Sequence, residues 1–90
     1  MEVKHEKSNK RFVAKIDNNE AELSYRILDD GTLDYHRTYV PENLRGQGIA
    51  QKVTEEALNF AKDQNKKVKP SCPFVEKYIE KNQHYQDLLA

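Results

Sequence analysis

Sorted into apolar and polar positions, the chain changes period once. Up to residue 40 it alternates with a period of two, and beyond residue 48 the spacing becomes helical. Phe12, Ala14 and Ile16 alternate with Val13, Lys15 and Asp17, and Asp17-Asn18-Asn19 then supplies turn chemistry. Ala21, Leu23, Tyr25 and Ile27 alternate with Glu22, Ser24, Arg26 and Leu28, which predicts a half-buried strand. Asp29-Asp30-Gly31 reads as a hairpin turn, with Gly31 free to take positive φ. A further strand runs from Thr32 to Val40. Strict alternation puts Leu33, Tyr35, Arg37 and Tyr39 on one face and Asp34, His36, Thr38 and Val40 on the other. Pro41 ends it, having no N–H to donate.

The helical pattern covers Ile49 to Gln64. Ile49, Ala50, Val53, Ala57, Phe60 and Ala61 fall on one face, and Asn65 suits a left-handed terminator. Lys52 and Glu56 stand one turn apart on the polar face. A short strand over Lys67 to Ser71 follows, broken by Pro70, where the chain parts from its neighbour strand or forms an edge. Pro73 then fits the first turn of a second helix, with Ser71 or Cys72 near its cap and an apolar face of Phe74, Val75, Tyr78 and Ile79. That helix fades near Asn82, and His84 to Leu89 forms a tail packed back through Tyr85 and Leu88. The expected fold is α+β with an α/β-like core. It has a mixed, mostly antiparallel sheet, one parallel strand pair joined by a crossover helix, and a C-terminal helix.

Composition narrows the classes. At 90 residues the expectation is a single domain over 1–90, with a core made thin by a mean hydropathy of −0.98. Fifteen Lys and Arg balance fifteen Asp and Glu, and no basic stripe appears, so no nucleic-acid partner is expected. Neither a signal peptide nor a membrane span is expected, because no apolar run is long enough. The lone thiol, Cys72, fits a reducing cytoplasm. His5, His36 and His84 lie far apart and show no metal-ligand spacing.

Between the two periods stands Val40-Pro41-Glu42-Asn43-Leu44-Arg45-Gly46-Gln47-Gly48-Ile49-Ala50. A glycine turn opening a helix directs unpaired N–H groups at one point, at the positive end of the helix dipole, and suits phosphate. A P-loop would need Lys and then Ser or Thr after its last glycine, where Ile49 and Ala50 stand. A dinucleotide fingerprint would need a third glycine where Gln51 stands and an acidic residue ending the next strand. Both readings fail. Arg45-Gly46-Gln47-Gly48-Ile49-Ala50 instead resembles the Gln/Arg-x-x-Gly-x-Gly/Ala pyrophosphate motif of the GNAT superfamily of N-acetyltransferases. The surrounding order of strand, loop, helix and diverging strand is similar to that superfamily's core.

Thr38-x-Val40-Pro41, the loop, Ser71-Cys72-Pro73-Phe74-Val75-Glu76-Lys77-Tyr78-Ile79 and Tyr85 together resemble a subfamily of very short GNAT-like proteins. These lack the helical pair that larger members carry after their first strand, so the resemblance implies a truncated GNAT fold. The subfamily usually has His immediately before the Thr; here that position is Arg37, with His36 one step earlier. The resemblance implies acetyl-CoA as co-substrate, its pyrophosphate on Arg45, Gly46, Gln47, Gly48, Ile49 and Ala50. It implies a pantetheine arm bonded to backbone at Thr38, Tyr39 and Val40. It also sets Cys72 beside the acetyl group, as acceptor or as contact, although a lone cysteine also serves as a small core residue.

Further candidates are His36 as a base, Tyr78 or Tyr85 as an acid, and Lys52 and Lys77 for the adenosine 3′-phosphate. Three functions are carried forward. The leading one is acetyl-CoA-dependent N-acetylation of an unidentified amine, on a small molecule or a protein. The alternatives are a non-catalytic acyl-CoA-binding protein or sensor, and a small interaction module whose glycine loop only opens a helix.

Overall fold

The computed structural model describes residues 1–90. Its strands are β1 (Val3–Glu6), β2 (Arg11–Ile16), β3 (Asn19–Ile27), β4 (Leu33–Tyr39) and β5 (Val68–Lys69). Its helices are α1 (Ile49–Asp63) and α2 (Pro73–Lys81), with short 3-10 turns at Lys7–Asn9, Glu42–Leu44 and Gln83–Leu88. The five strands form one sheet in chain order, antiparallel except for the pair β4 and β5. α1 crosses between those two, as the change of period predicts.

The turns follow from their residues. Asp17 and Asn18 both take positive φ, at 50° and 66°, which a two-residue hairpin needs to match strand twist. Gly31 takes φ 88° in the next hairpin, and Asn65, at φ 55°, ends α1.

β1 was not expected. Val3-Lys4-His5-Glu6 has one aliphatic residue, but His5 stacks on Phe12 with ring centroids 4.1 Å apart and meets Phe60 edge-on at 4.4 Å. An imidazole therefore fills an aromatic position in the core. β2 also departs from strict alternation, because Val13 is buried as fully as its neighbours Phe12 and Ala14.

β4 corrects the strict alternation read from the sequence. Ser24 pairs with Arg37 and Tyr25 with Tyr35, so His36 is an extra residue, a β-bulge. The bulge reverses the faces beyond it. Leu33 and Tyr35 point into the core, and so does Thr38, which pairs with the fully buried Leu23. Arg37 and Tyr39 turn outward instead. There Arg37 bonds Glu22 at 3.2 Å and lies over the Tyr39 ring.

The core lies between the sheet and α1. Ile49, Val53, Ala57, Leu58 and Ala61 of the helix are buried against Phe12, Leu23, Tyr25 and Tyr35. The Tyr35 hydroxyl donates to the Ala57 carbonyl at 2.6 Å. Val75, Ile79, Tyr85 and Leu88 extend the core under α2 and the tail, which folds back as expected. Ala90 N–H closes onto Val68 O at 3.1 Å. No helix is long and apolar enough to cross a membrane.

Candidate functional site

β4 and β5 stay paired only briefly. Leu33 pairs with Val68 and Asp34 with Lys69, and then Pro70 removes the next donor. β5 is thus shorter than the expected Lys67–Ser71. Ser71 N–H turns back to Lys69 O at 3.0 Å, and Cys72 N–H returns to Tyr35 O at 3.0 Å. Past Tyr35 the two strands separate, and the gap opens toward the glycine loop at the end of β4.

Cys72 stands at this junction as the N-cap residue of α2, with Pro73 at the first helical position. It is only 6% exposed and belongs to the core. Its side chain does not cap the helix; the thiol donates to Thr38 Oγ1 at 3.4 Å. Because the bulge turns Thr38 inward, Tyr35 holds the Cys72 backbone and Thr38 holds its sulfur.

The loop is built on two left-handed glycines, Gly46 at φ 83° and Gly48, the N-cap of α1, at φ 76°. Both need glycine for φ alone, because nothing lies within 4 Å of where a Cβ would project. No side chain caps α1, and its first bond past the loop is Lys52 N–H to Gly48 O at 3.1 Å. The N–H groups of Gly46, Gln47, Gly48, Ile49, Ala50 and Gln51 therefore have no protein acceptor. Alternating left-handed residues, unpaired amides and a helix N-terminus make a concave donor surface for an anion. Arg45 flanks it, with its Nε donating to Val40 O at 3.0 Å, which ties the guanidinium to the end of β4.

A cleft of about 290 Å³ lies over the loop; Thr38, Gln47 and Cys72 are not part of its lining. Val40, Arg45, Gly46, Gly48, Ile49 and Ala50 line it, all singled out in the sequence. Leu44, Gln51 and Phe74 line it as well. On the sequence Phe74 belongs to the apolar face of α2 and to the Ser71–Ile79 stretch of the family resemblance, and neither places it beside the start of α1.

The other candidates stand outside this cleft. His36 is the bulged residue on β4 and has no hydrogen-bond partner. Tyr39 points outward, so any part it plays in the gap goes through its backbone. Lys52 is held by Glu55 at 3.4 Å and Glu56 at 3.3 Å, and these carboxylates raise its pKa. Lys77 is exposed and unpaired.

Tyr78 and Tyr85 adjoin, with ring centroids 6.1 Å apart, and the Tyr85 hydroxyl donates to Asn59 Oδ1 at 2.8 Å. Burial, with Glu55 adding, pushes the Tyr78 pKa up against the opposing charge of Lys52. Burial, with Tyr78 and Glu55 adding, raises Tyr85. Both phenols are therefore protonated at neutral pH and suit an acid rather than a base. No cluster of His, Cys, Asp or Glu suited to a metal ion is present.

The chain has relatives among known proteins. Protein NATD1 of Danio rerio is 29% identical over 90 residues, an alignment covering 98% of this chain and 82% of that protein. Human NATD1 is 28% identical over 82 residues, covering 89% and 73% of the two chains. The solution NMR structure of a GCN5-like protein from Staphylococcus aureus, described as a candidate N-acetyltransferase, superposes with a TM-score of 0.77. It is 31% identical and covers 99% of this chain and 87% of that one. The fold, with its mixed sheet and parallel pair, is thus the GNAT fold. Residues 11–88, which include both glycines, the parted strands and Cys72, match the GCN5-related N-acetyl-transferase family, and the chain belongs to that family.

Proposed function

We propose that this protein binds acetyl-CoA and transfers the acetyl group to an amine. The observation carrying this reading is the run of unpaired amides from Gly46 to Gln51 beside the gap between β4 and β5. That surface suits a pyrophosphate, with Arg45 adding positive charge. The backbone of Thr38 to Val40 faces the gap and would bond an extended arm as a neighbouring strand does. Phe74, Val40 and Leu44 supply apolar wall. Lys52 and Lys77 are the cations offered to the 3′-phosphate, and Lys52 must first leave its two glutamates.

Acetyl-CoA supplies an activated thioester. On the protein side, Cys72 is held by Thr38 and Tyr35 at the point where the strands part, as the acceptor of the acetyl group or its immediate neighbour. Tyr78 is the proton donor and His36 the base candidate. The amine belongs to a small molecule or a protein. With its single free thiol, the chain suits a reducing cytoplasm.

A second reading, acyl-CoA binding without turnover, is favoured by one observation: Cys72 is nearly buried and bonded to Thr38, as a structural thiol would be.

Thermal unfolding with and without excess acetyl-CoA tests binding. At about a hundredfold excess over the dissociation constant the ligand adds roughly 2.7 kcal/mol, which raises the Tm of a domain this size by several degrees. No shift with acetyl-CoA or free CoA would remove both readings and leave an interaction module. Intact mass after incubation tests Cys72. A hydroxylamine-sensitive acetyl adduct, absent in Cys72→Ala, is expected for the acceptor role. Binding with neither adduct nor turnover across a panel of amines would favour the second reading.

A further inference from the structure

A second cavity, of about 220 Å³, lies at the opposite end of the sheet from the glycine loop. Gly31 and Leu33, where β4 begins, line it, as do Gln64 and Lys66, where α1 has ended. The fifteen residues of α1 separate the two ends by about 20 Å. A ligand here would touch neither the loop nor Cys72.

The chemistry of the wall is specific. Its floor is apolar and aromatic, made by Tyr25, Phe60, Leu33 and Ile27. Ile27 is 56% exposed at this place, a large aliphatic side chain left in solvent. Inside, His5 Nε2 and the Tyr25 hydroxyl share a hydrogen bond of 2.6 Å, which presents a polar pair within the aromatic surface. Burial and the charge of Lys7 push the His5 pKa down, so this pair is neutral near pH 7.

The lining carries two cations and no acid. Neither Lys7 nor Lys66 has a carboxylate within ion-pair distance. The Lys7 ammonium stands 5.9 Å from the centroid of the Phe60 ring. The Lys66 ammonium stands 3.6 Å from where a Cβ on Gly31 would be. In a chain whose formal charge is zero, two unneutralised ammonium groups over an aromatic floor are a local asymmetry. They call for an anionic head on a flat apolar body, and the cavity is smaller than a drug-sized pocket, so the body is a single ring.

We propose that this cavity binds a small aromatic carboxylate, its ring against Phe60 and Tyr25 and its carboxylate between Lys7 and Lys66. Phenylacetate is the probe, followed through the backbone amide resonances of the isotopically labelled full chain. Saturable shifts are expected at Gly31, Gln64 and Lys66 and not at Gly46 or Gly48. Phenylacetamide, the neutral isostere, should bind at least about tenfold more weakly. The exposed double variant Lys7→Gln, Lys66→Gln should lose the same factor while keeping its amide spectrum and its response to acetyl-CoA. The proposal is overturned by any of three outcomes: no saturable shift up to about 10 mM phenylacetate, shifts confined to the glycine loop, or equal binding of the acid and the amide. Because acetyl-CoA is measured on the same samples, failure here is separable from failure of the acetyltransferase reading.

Discussion

The thiol of Cys72 donates to the hydroxyl of Thr38 across 3.4 Å, joining the start of α2 to the inner face of β4. Thr38→Val removes the acceptor and keeps the shape. The expected loss is about 0.5 kcal/mol, since S–H is a weak donor. Urea unfolding of Thr38→Val, Cys72→Ala and the double variant measures it. Strict additivity of the two single losses would show that the bond contributes nothing.

With only 6% of Cys72 exposed, its native reaction with a chromogenic aryl disulfide should be at least about tenfold slower than that of the urea-unfolded chain. Equal rates would place the thiol at the surface and contradict the geometry around Thr38.

Gly48→Ala puts a methyl group into open space but keeps the backbone at φ 76°. The expected loss is about 1–2 kcal/mol from left-handed strain alone. The response to acetyl-CoA should fall further than stability does, because the same residue aims the loop amides. Denaturant unfolding and thermal shift on one preparation separate the two effects.

Tyr35→Phe deletes the hydroxyl that bonds the Ala57 carbonyl at 2.6 Å and leaves the ring in place. A loss of about 1 kcal/mol is expected in urea unfolding. An unchanged midpoint would show that this bond does not help hold α1 to the sheet.

His5 titrates below its ordinary 6.5 in the folded chain, through burial first and the Lys7 charge second. The unfolded chain therefore binds the proton more readily. The stability contributed by neutral His5 is complete above about pH 6.5 and declines as pH falls toward the folded pKa. Urea midpoints should drop between about pH 7.5 and pH 5.5, and His5→Gln should flatten that slope. Glu6 and Asp30, whose pKa values are lowered by their hydrogen bonds, titrate below this window.

Local signals carried α1, both hairpin turns, the parallel crossover and the glycine loop, because each depends on residues a few positions apart. Lys52 does meet Glu56 one turn along α1, and Asn65 does end the helix. What was not legible depended on distant partners. β1 escaped because His5 counts as polar until Phe12 and Phe60 are beside it. The inward turn of Thr38 escaped because a bulge is a property of two strands, and Arg37-Thr38-Tyr39 alone reads as continuing alternation. Phe74 was placed on the right helix, but its place in the cleft depends on how α2 docks beside α1.

His36 has no counterpart on β3 and stands in β4 as a supernumerary residue. Its imidazole, partly buried, makes no hydrogen bond or ion pair, so the position does not depend on that ring. His36→Ala should leave the fold and the junction intact. Deleting His36 would remove the bulge and leave Tyr35, Arg37 and Thr38 in regular alternation, with Arg37 still outward opposite Ser24 and Thr38 still inward opposite Leu23. The bulge is thus a residue the strand accommodates, and the inward place of Thr38 beside Cys72 is held by the pairing of Leu23 with Thr38 and of Ser24 with Arg37.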